Sequence, residues 1–189
     1  MRAARQATDG WFDCNLPAGD GERTIDPSGL VKGWAAERAA RALATLDHHD
    51  WLINAGGDVI VSAAGRPFAV GIQSPRDQHA LIEAVRVQQG AVATSGSYAR
   101  GGHIVNPRTA KPAYELGSVS VIAPSLVCAD VLATAVYAEG IAGLDRVEGI
   151  PGAEALIVLS DGAVVTTSAW PQADQPVLLA PVSARRAGR

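Results

Sequence analysis

Asp130 and Thr134 stand four residues apart in the run P-S-L-V-C-A-D-V-L-A-T-A-V-Y that spans 124–137. On a helix that spacing projects both side chains from one face, one turn above the other. A carboxylate and a hydroxyl presented together by a rigid element form a hard-oxygen pair, the donor type that Mg2+ favours. Ser125 after Pro124 suits the N-cap of such a helix, and good helix formers with apolar spacing follow it. D-x-x-x-T is a common pattern, however, and by itself it reads as an amphipathic helix with two incidental polar residues.

Four more polar clusters fall between apolar segments, where loops on a rigid scaffold place sites. They span 26–32, 54–58, 94–96 and 103–109. Gly56 and Gly57 in N-A-G-G-D permit left-handed dihedrals and close approach of backbone to a ligand, although the same residues suit a plain hairpin turn. Glycine-rich turns and hydroxyls supply donors for phosphate oxygens, and Lys32 adds a point charge. His103 has the imidazole chemistry for proton transfer or phosphate contact, or for a purely structural bond. Together the five clusters suggest an anionic ligand bridged to a divalent cation held by Asp130 and Thr134.

The elements that would position these residues follow from periodicity. A helix is expected from about Trp34 to Leu46, with Ala35, Ala39, Ala42, Leu43 and Leu46 on its packed stripe. Trp51–Ile53 reads as a short buried strand returning through Val59–Val61, and Phe68–Ile72 as another strand. Leu81–Val87 is assigned to a strand, Thr94–Tyr98 to a loop, and a short strand near Ile104 is stopped by Pro107. Ser118–Ala123 is a buried strand feeding the helix of Asp130, and Ala155–Leu159 with Val164–Thr167 form a closing hairpin. A last strand is expected at Val177–Leu179. The sum is a mixed α+β fold with a largely antiparallel sheet.

The chain of 189 residues is long enough for one domain with a substantial core, and 1–189 is taken as that domain. Its 48% apolar and 19% charged residues are those of a soluble globular protein, and a net charge of −3 gives no nucleic-acid surface. No apolar run approaches the roughly 20 residues of a membrane span, and the first residues lack the apolar core of a signal peptide, so the expected location is cytoplasmic. Cys14 and Cys128 lack redox or zinc spacing. A serine hydrolase is disfavoured: Ser95 and Ser97 lie near His103, but G-x-S-x-G is absent.

Read in order, the motifs are T-D-G-W-F-D, D-P-S-G-L-V-K-G-W-A-A-E-R-A-A, N-A-G-G-D, A-V-A-T-S-G-S-Y, H-I-V-N-P-R-T, then S-V-S-V-I-A-P and A-D-x-x-x-T. This series closely resembles the ApbE family, the FAD:protein FMN transferases, from about Thr8 to Gly140. The resemblance implies a T-fold-like α+β architecture and a Mg2+-dependent reaction on FAD. FMN would pass to a Thr or Ser hydroxyl of a target flavoprotein, releasing AMP. Hydrolysis of FAD to FMN and AMP, or flavin binding without catalysis, are the alternatives.

Carried over by position, the resemblance implies that Asp130, Thr134 and the backbone carbonyl of Gly29 hold the metal. Asp26, Lys32 and Ile104 would contact FAD, with Gly56, Gly57, Thr94, Ser95 and Gly96 also on the cofactor side. His103 and Asp130 would be catalytic. The opening, 1–25, is shortened relative to the family, and 171–189 is a tail. Three positions depart from the usual wording: Asn106 for Asp, Ala110 for the Gly of P-x-T-G, and Gly102 for the Ser before His103. Ala110 would resist a positive φ, whereas Asn106 can keep a turn-capping hydrogen bond while losing the charge.

Overall fold

The structure, a computed structural model, describes residues 1–17, 22–43, 45, 49–96, 104–172 and 176–178. The chain opens with α1 (Arg2–Ala7), β1 (Asn15–Pro17) and β2 (Arg23–Ile25), then α2 (Ser28–Leu43). Next come β3 (Trp51–Ala55), β4 (Asp58–Ser62), β5 (Phe68–Gln73), the long β6 (Leu81–Gly96), β7 (Val105–Asn106), β8 (Lys111–Pro112) and β9 (Leu116–Ala123). The chain continues with α3 (Leu126–Glu139), α4 (Gly143–Glu148), β10 (Glu154–Leu159), β11 (Val164–Thr166) and β12 (Pro176–Leu178).

Among the described residues the main sheet has the order β11-β10-β9-β6-β4-β3, with β5 and β12 also paired to β6. Its pairings are antiparallel except that of β12, which runs parallel to β6. β6 organises the sheet: 81–87 pair with β5, 89–92 with β4 and 91–96 with β9. Gly90, at φ 127, sits where β6 hands over from β5 to the other strands.

Both faces of the sheet centre are covered. Ala91, Ala93, Val119, Val121 and Ile157 pack with Leu126, Ala129, Leu132, Ala133 and Val136 of α3. The alternate residues Val92, Ile122, Leu156 and Val158 pack with Val70, Ile72, Val85, Val87 and Trp170 on the other face. A sheet buried on both sides loses the polar half of its alternation, which is why the serines of S-V-S-V-I-A are themselves fully buried.

Ser125 caps α3 as expected, its hydroxyl accepting from Cys128 N at 3.1 Å, and Glu37 of α2 accepts from Val127 N at 2.8 Å. The expected amphipathic character is not observed, because ten of the fourteen α3 residues are buried. One side faces the sheet, α2 packs alongside, and Phe12 and Cys14 cover Val131 and Ala135.

Other expectations need correction. The helix expected from Trp34 begins at Ser28, where Asp26 Oδ1 accepts from Ser28 N at 2.9 Å. Its buried residues are Gly33, Ala36 and Ala40, whereas Ala35, Ala39 and Ala42 are exposed; Leu46 lies outside the described residues. The register differs because the helix starts earlier and packs on α3 through a glycine that no apolar count would register. Thr94–Gly96 belong to β6 rather than to a loop, and Tyr98 lies outside the described residues. Trp51–Ile53 is an alternating strand with Leu52 exposed, since one of its faces borders a cavity. The short helices α1 and α4 span six residues each, too few to show a period. Leu179 lies outside the described residues. No described helix is long and apolar enough to cross a membrane.

Candidate functional site

α2 and α3 run antiparallel and meet through glycines. A Cβ built on Gly29 would lie 3.5 Å from Thr134 Oγ1, and one built on Gly33 would lie 3.4 Å from Asp130 Oδ2. Thus two glycines four apart face a carboxylate and a hydroxyl four apart, and the missing side chains let the helices approach closely at both oxygens. Asp130 is 5% exposed and Thr134 is half-buried. Thr134 Oγ1 is 3.1 Å from Ser95 Oγ of β6, a bond in which either hydroxyl can donate.

These residues open into a cavity of about 370 Å3, within the range of small-molecule sites. One wall is α2 with Ser28, Gly29 and Lys32, preceded by Asp26. Asp130 and Thr134 of α3, the β3–β4 turn and the end of β6 also line the cavity. In that turn Gly56 and Gly57 have φ of 64° and 99°, and Gly57 N donates to Asn54 Oδ1 at 2.9 Å. The positive dihedrals suit a tight hairpin, and the same turn borders the cavity, so the structural and the ligand-facing readings of these glycines coexist. Trp11, Phe12, Asp13 and Leu16 close a further side, and β5 contributes Ala69, Val70, Gly71 and Gln73.

Of the residues singled out from the sequence, Asp26, Gly29, Lys32, Gly56, Gly57, Thr94, Ser95, Gly96, Ile104, Asp130 and Thr134 all line this one cavity. His103 lies outside the described residues. Sequence reasoning gave no role to Asp58, which is 1% exposed, accepts from Thr94 N at 3.3 Å and lies 2.5 Å from Lys32 Nζ. Its signal was an acid directly after two turn glycines, at the start of a strand. Trp11 and Phe12 stand in the T-D-G-W-F-D motif without an assigned role, and the apolar β5 residues carried no comparable signal, because their types are those of an ordinary strand.

The lining is acidic. Asp13, Asp26, Asp58 and Asp130 face the cavity with Lys32 as the only cation among the described residues lining it. An anionic ligand entering such a cavity meets repulsion that a bound cation would offset. The oxygen donors, a carboxylate beside a hydroxyl, are the hard type suited to Mg2+. Among the described residues no three His, Cys, Asp or Glu side chains converge as a metal centre.

The departures in the 103–110 segment have a structural account. Asn106 Oδ1 accepts from Arg108 N at 2.9 Å and Thr109 N at 3.2 Å, so the cap is kept. Its Nδ2 donates to Ala138 O at 3.3 Å, a bond an Asp carboxylate could not make. Ala110 sits at φ 57, the left-handed position that the usual Gly would occupy without strain.

A sequence profile described as the ApbE family matches residues 3–157. The chain belongs to the ApbE family. Curated ApbE relatives named FAD:protein FMN transferase include one from Klebsiella pneumoniae, 29% identical over 161 residues that make up 78% of this chain and 46% of that protein. Another, from Rhodobacter capsulatus, is 33% identical over 155 residues, 76% of this chain and 29% of the relative. The chain thus spans less than half the length of these curated relatives. Among solved structures, the ApbE protein of Thermotoga maritima superposes with a TM-score of 0.74 at 28% identity, covering 88% of this chain and 72% of that one. The flavin transferase ApbE of Vibrio cholerae gives 0.68 at 21% identity, with 87% and 71% covered, a likeness of fold. The α+β, largely antiparallel ApbE architecture expected from the sequence is the one observed.

Proposed function

We propose that this ApbE chain is a Mg2+-dependent FAD:protein FMN transferase that passes FMN from FAD to a Thr or Ser hydroxyl of a target flavoprotein and releases AMP. The observation that carries this reading is the pairing of Asp130 and Thr134 with Gly33 and Gly29, with Gly29, Asp130 and Thr134 lining an acidic cavity. The relatives' name, FAD:protein FMN transferase, supplies the substrate class.

Asp130, Thr134 and the carbonyl of Gly29 would hold the metal, whose charge would neutralise the diphosphate while the P–O bond from the FMN phosphorus to the bridging oxygen is exchanged. Ser95, 3.1 Å from Thr134, orients that hydroxyl so that an oxygen lone pair is left for coordination. Lys32 offers its ammonium to the diphosphate, while the β3–β4 turn and Thr94 bring backbone and hydroxyl groups to the same cavity. Asp26 fixes the first turn of α2 and so the position of Gly29. In the transfer the acceptor oxygen forms a bond to the FMN phosphorus, the diphosphate P–O bond breaks, and AMP leaves with that oxygen. The hydroxyl proton goes to a base; His103 is assigned this role on its place in H-I-V-N-P, beside the Ile104 that lines the cavity.

The test is incubation with FAD, with and without Mg2+, and a Thr-bearing acceptor flavoprotein, followed by mass spectrometry. The expected result is a Mg2+-dependent FMN adduct on the acceptor. Free FMN and AMP without adduct would make the protein a FAD pyrophosphatase, and FAD bound unchanged would make it a flavin-binding protein. His103→Ala is expected to lose transfer while keeping flavin binding.

A further inference from the structure

Asp58 begins β4 directly after the two turn glycines and is 1% exposed. A carboxylate at that depth is costly unless it is paired and hydrogen-bonded. Two of its contacts reach different elements. Oδ1 accepts from Thr94 N of β6 at 3.3 Å, and Oδ2 lies 2.5 Å from Lys32 Nζ of α2. Lys32 keeps 31% of its side chain exposed, and both residues line the cavity. An ammonium carries three N–H donors, so an ion pair with one carboxylate does not exhaust its capacity for a ligand.

The geometry points to Asp58 as the positioning residue for Lys32: it fixes the ammonium at the place where the diphosphate of a dinucleotide binds. The inference rests on the reading of the cavity as a dinucleotide site. In this role Asp58 acts through the Lys32 ammonium. A lysine stem is long and rotamer-rich, and anchoring its head removes that freedom before the ligand arrives. Through Thr94 N the anchor is joined to the strand whose next residue, Ser95, bonds Thr134. One buried carboxylate therefore ties the cationic end of the site to the strand that orients the proposed metal ligand.

Simple electrostatics and positioning predict opposite signs. Removing a negative charge from an acidic cavity should tighten an anion, whereas releasing Lys32 from its anchor should weaken it. The experiment measures ADP binding by calorimetry in Mg2+, with thermal unfolding as a check on the fold. Asp58→Asn keeps an acceptor oxygen for Thr94 N and removes the charge. It is expected to bind ADP about tenfold more weakly, the scale of one charge-assisted contact. The double variant Lys32→Met/Asp58→Asn is expected to bind no more weakly than Asp58→Asn. Equal or tighter ADP binding by Asp58→Asn, or a further loss in the double variant, would overturn the inference. Should Asp58→Asn fail to fold, Asp58→Glu displaces the charge by one methylene; the same weakening is expected, and unchanged affinity would overturn the inference equally. Wild-type protein that binds neither ADP nor FAD refutes the dinucleotide site as a whole. Wild-type binding with an indifferent Asp58→Asn refutes only the role of Asp58.

Discussion

Gly33 faces Asp130 so closely that a β-carbon on it would lie 3.4 Å from Oδ2 of the carboxylate and 3.2 Å from the backbone oxygen of Leu126. The α2–α3 contact is thus tight at this point, and the carboxylate's surroundings are set by an absence of atoms. Gly33→Ala requires the helix or the carboxylate to give by a few tenths of an ångström. A loss of about 1–3 kcal/mol in urea unfolding is expected, as for other overpacked sites, together with weaker Mg2+ dependence of transfer. Wild-type stability in that variant would show that the helices are not in contact there.

Asp130→Asn and Thr134→Val separate the two proposed metal ligands. Asp130→Asn removes the charge and is expected to lower Mg2+-dependent turnover about a hundredfold or more, the scale of losing a group aimed at developing charge. Thr134→Val removes one hydroxyl of the Ser95 pair and is expected to raise the Mg2+ concentration needed for half-maximal rate about tenfold. Both variants should melt as cooperatively as the wild type. A Mg2+ titration unchanged in both would remove these residues from the metal site.

Ala110 occupies a left-handed position, φ 57, at the end of the Asn106–Ala110 turn, where its N–H donates to Asn106 O at 2.9 Å. An alanine there carries about 1–2 kcal/mol of steric strain that glycine does not. Ala110→Gly is therefore expected to stabilise the protein by about 1 kcal/mol, less the extra entropy of the unfolded chain. In a chain of this size that corresponds to a rise in Tm of about 2–4 °C. A fall in Tm would show that the turn does not hold this dihedral in solution.

Burial, and secondarily the Glu37 carboxylate, push the Cys128 thiol above its ordinary value of 9.0. Burial also raises Cys14. The neutral thiol is thus favoured by the folded state. The stability this contributes is full below the unfolded-state thiol pKa and is lost as pH rises from there through the higher folded-state value, so the affected window is alkaline. Alkylation of both thiols by iodoacetamide at neutral pH is expected to be slow in the folded protein and fast in urea. Rapid labelling of native Cys128 would contradict its packing against the core.

Much of the local structure was legible because it is written in adjacent residues. The Ser125 cap, the Gly56–Gly57 turn and the 154–166 hairpin each depend on neighbours in the chain, and each is where turn and capping chemistry put it. The start of α2 is not legible in the apolar pattern, because its decisive surface is Gly33 and a missing side chain leaves no hydrophobic mark. The residue types of Thr94–Gly96 suit turns, while pairing with β9 keeps them extended.

The candidate site divides along the same line. The sequence alone determined which residues have the chemistry: a carboxylate and a hydroxyl one turn apart on a helix, a lysine three residues beyond a glycine, and a motif order shared with the ApbE family. The tertiary structure alone decided that Gly29 and Gly33 stand opposite that pair, that Asp58 holds Lys32, and that Ser95 reaches Thr134. These are contacts between residues tens of positions apart. Their distances are set by how two helices and a sheet pack, and no local rule of spacing encodes packing.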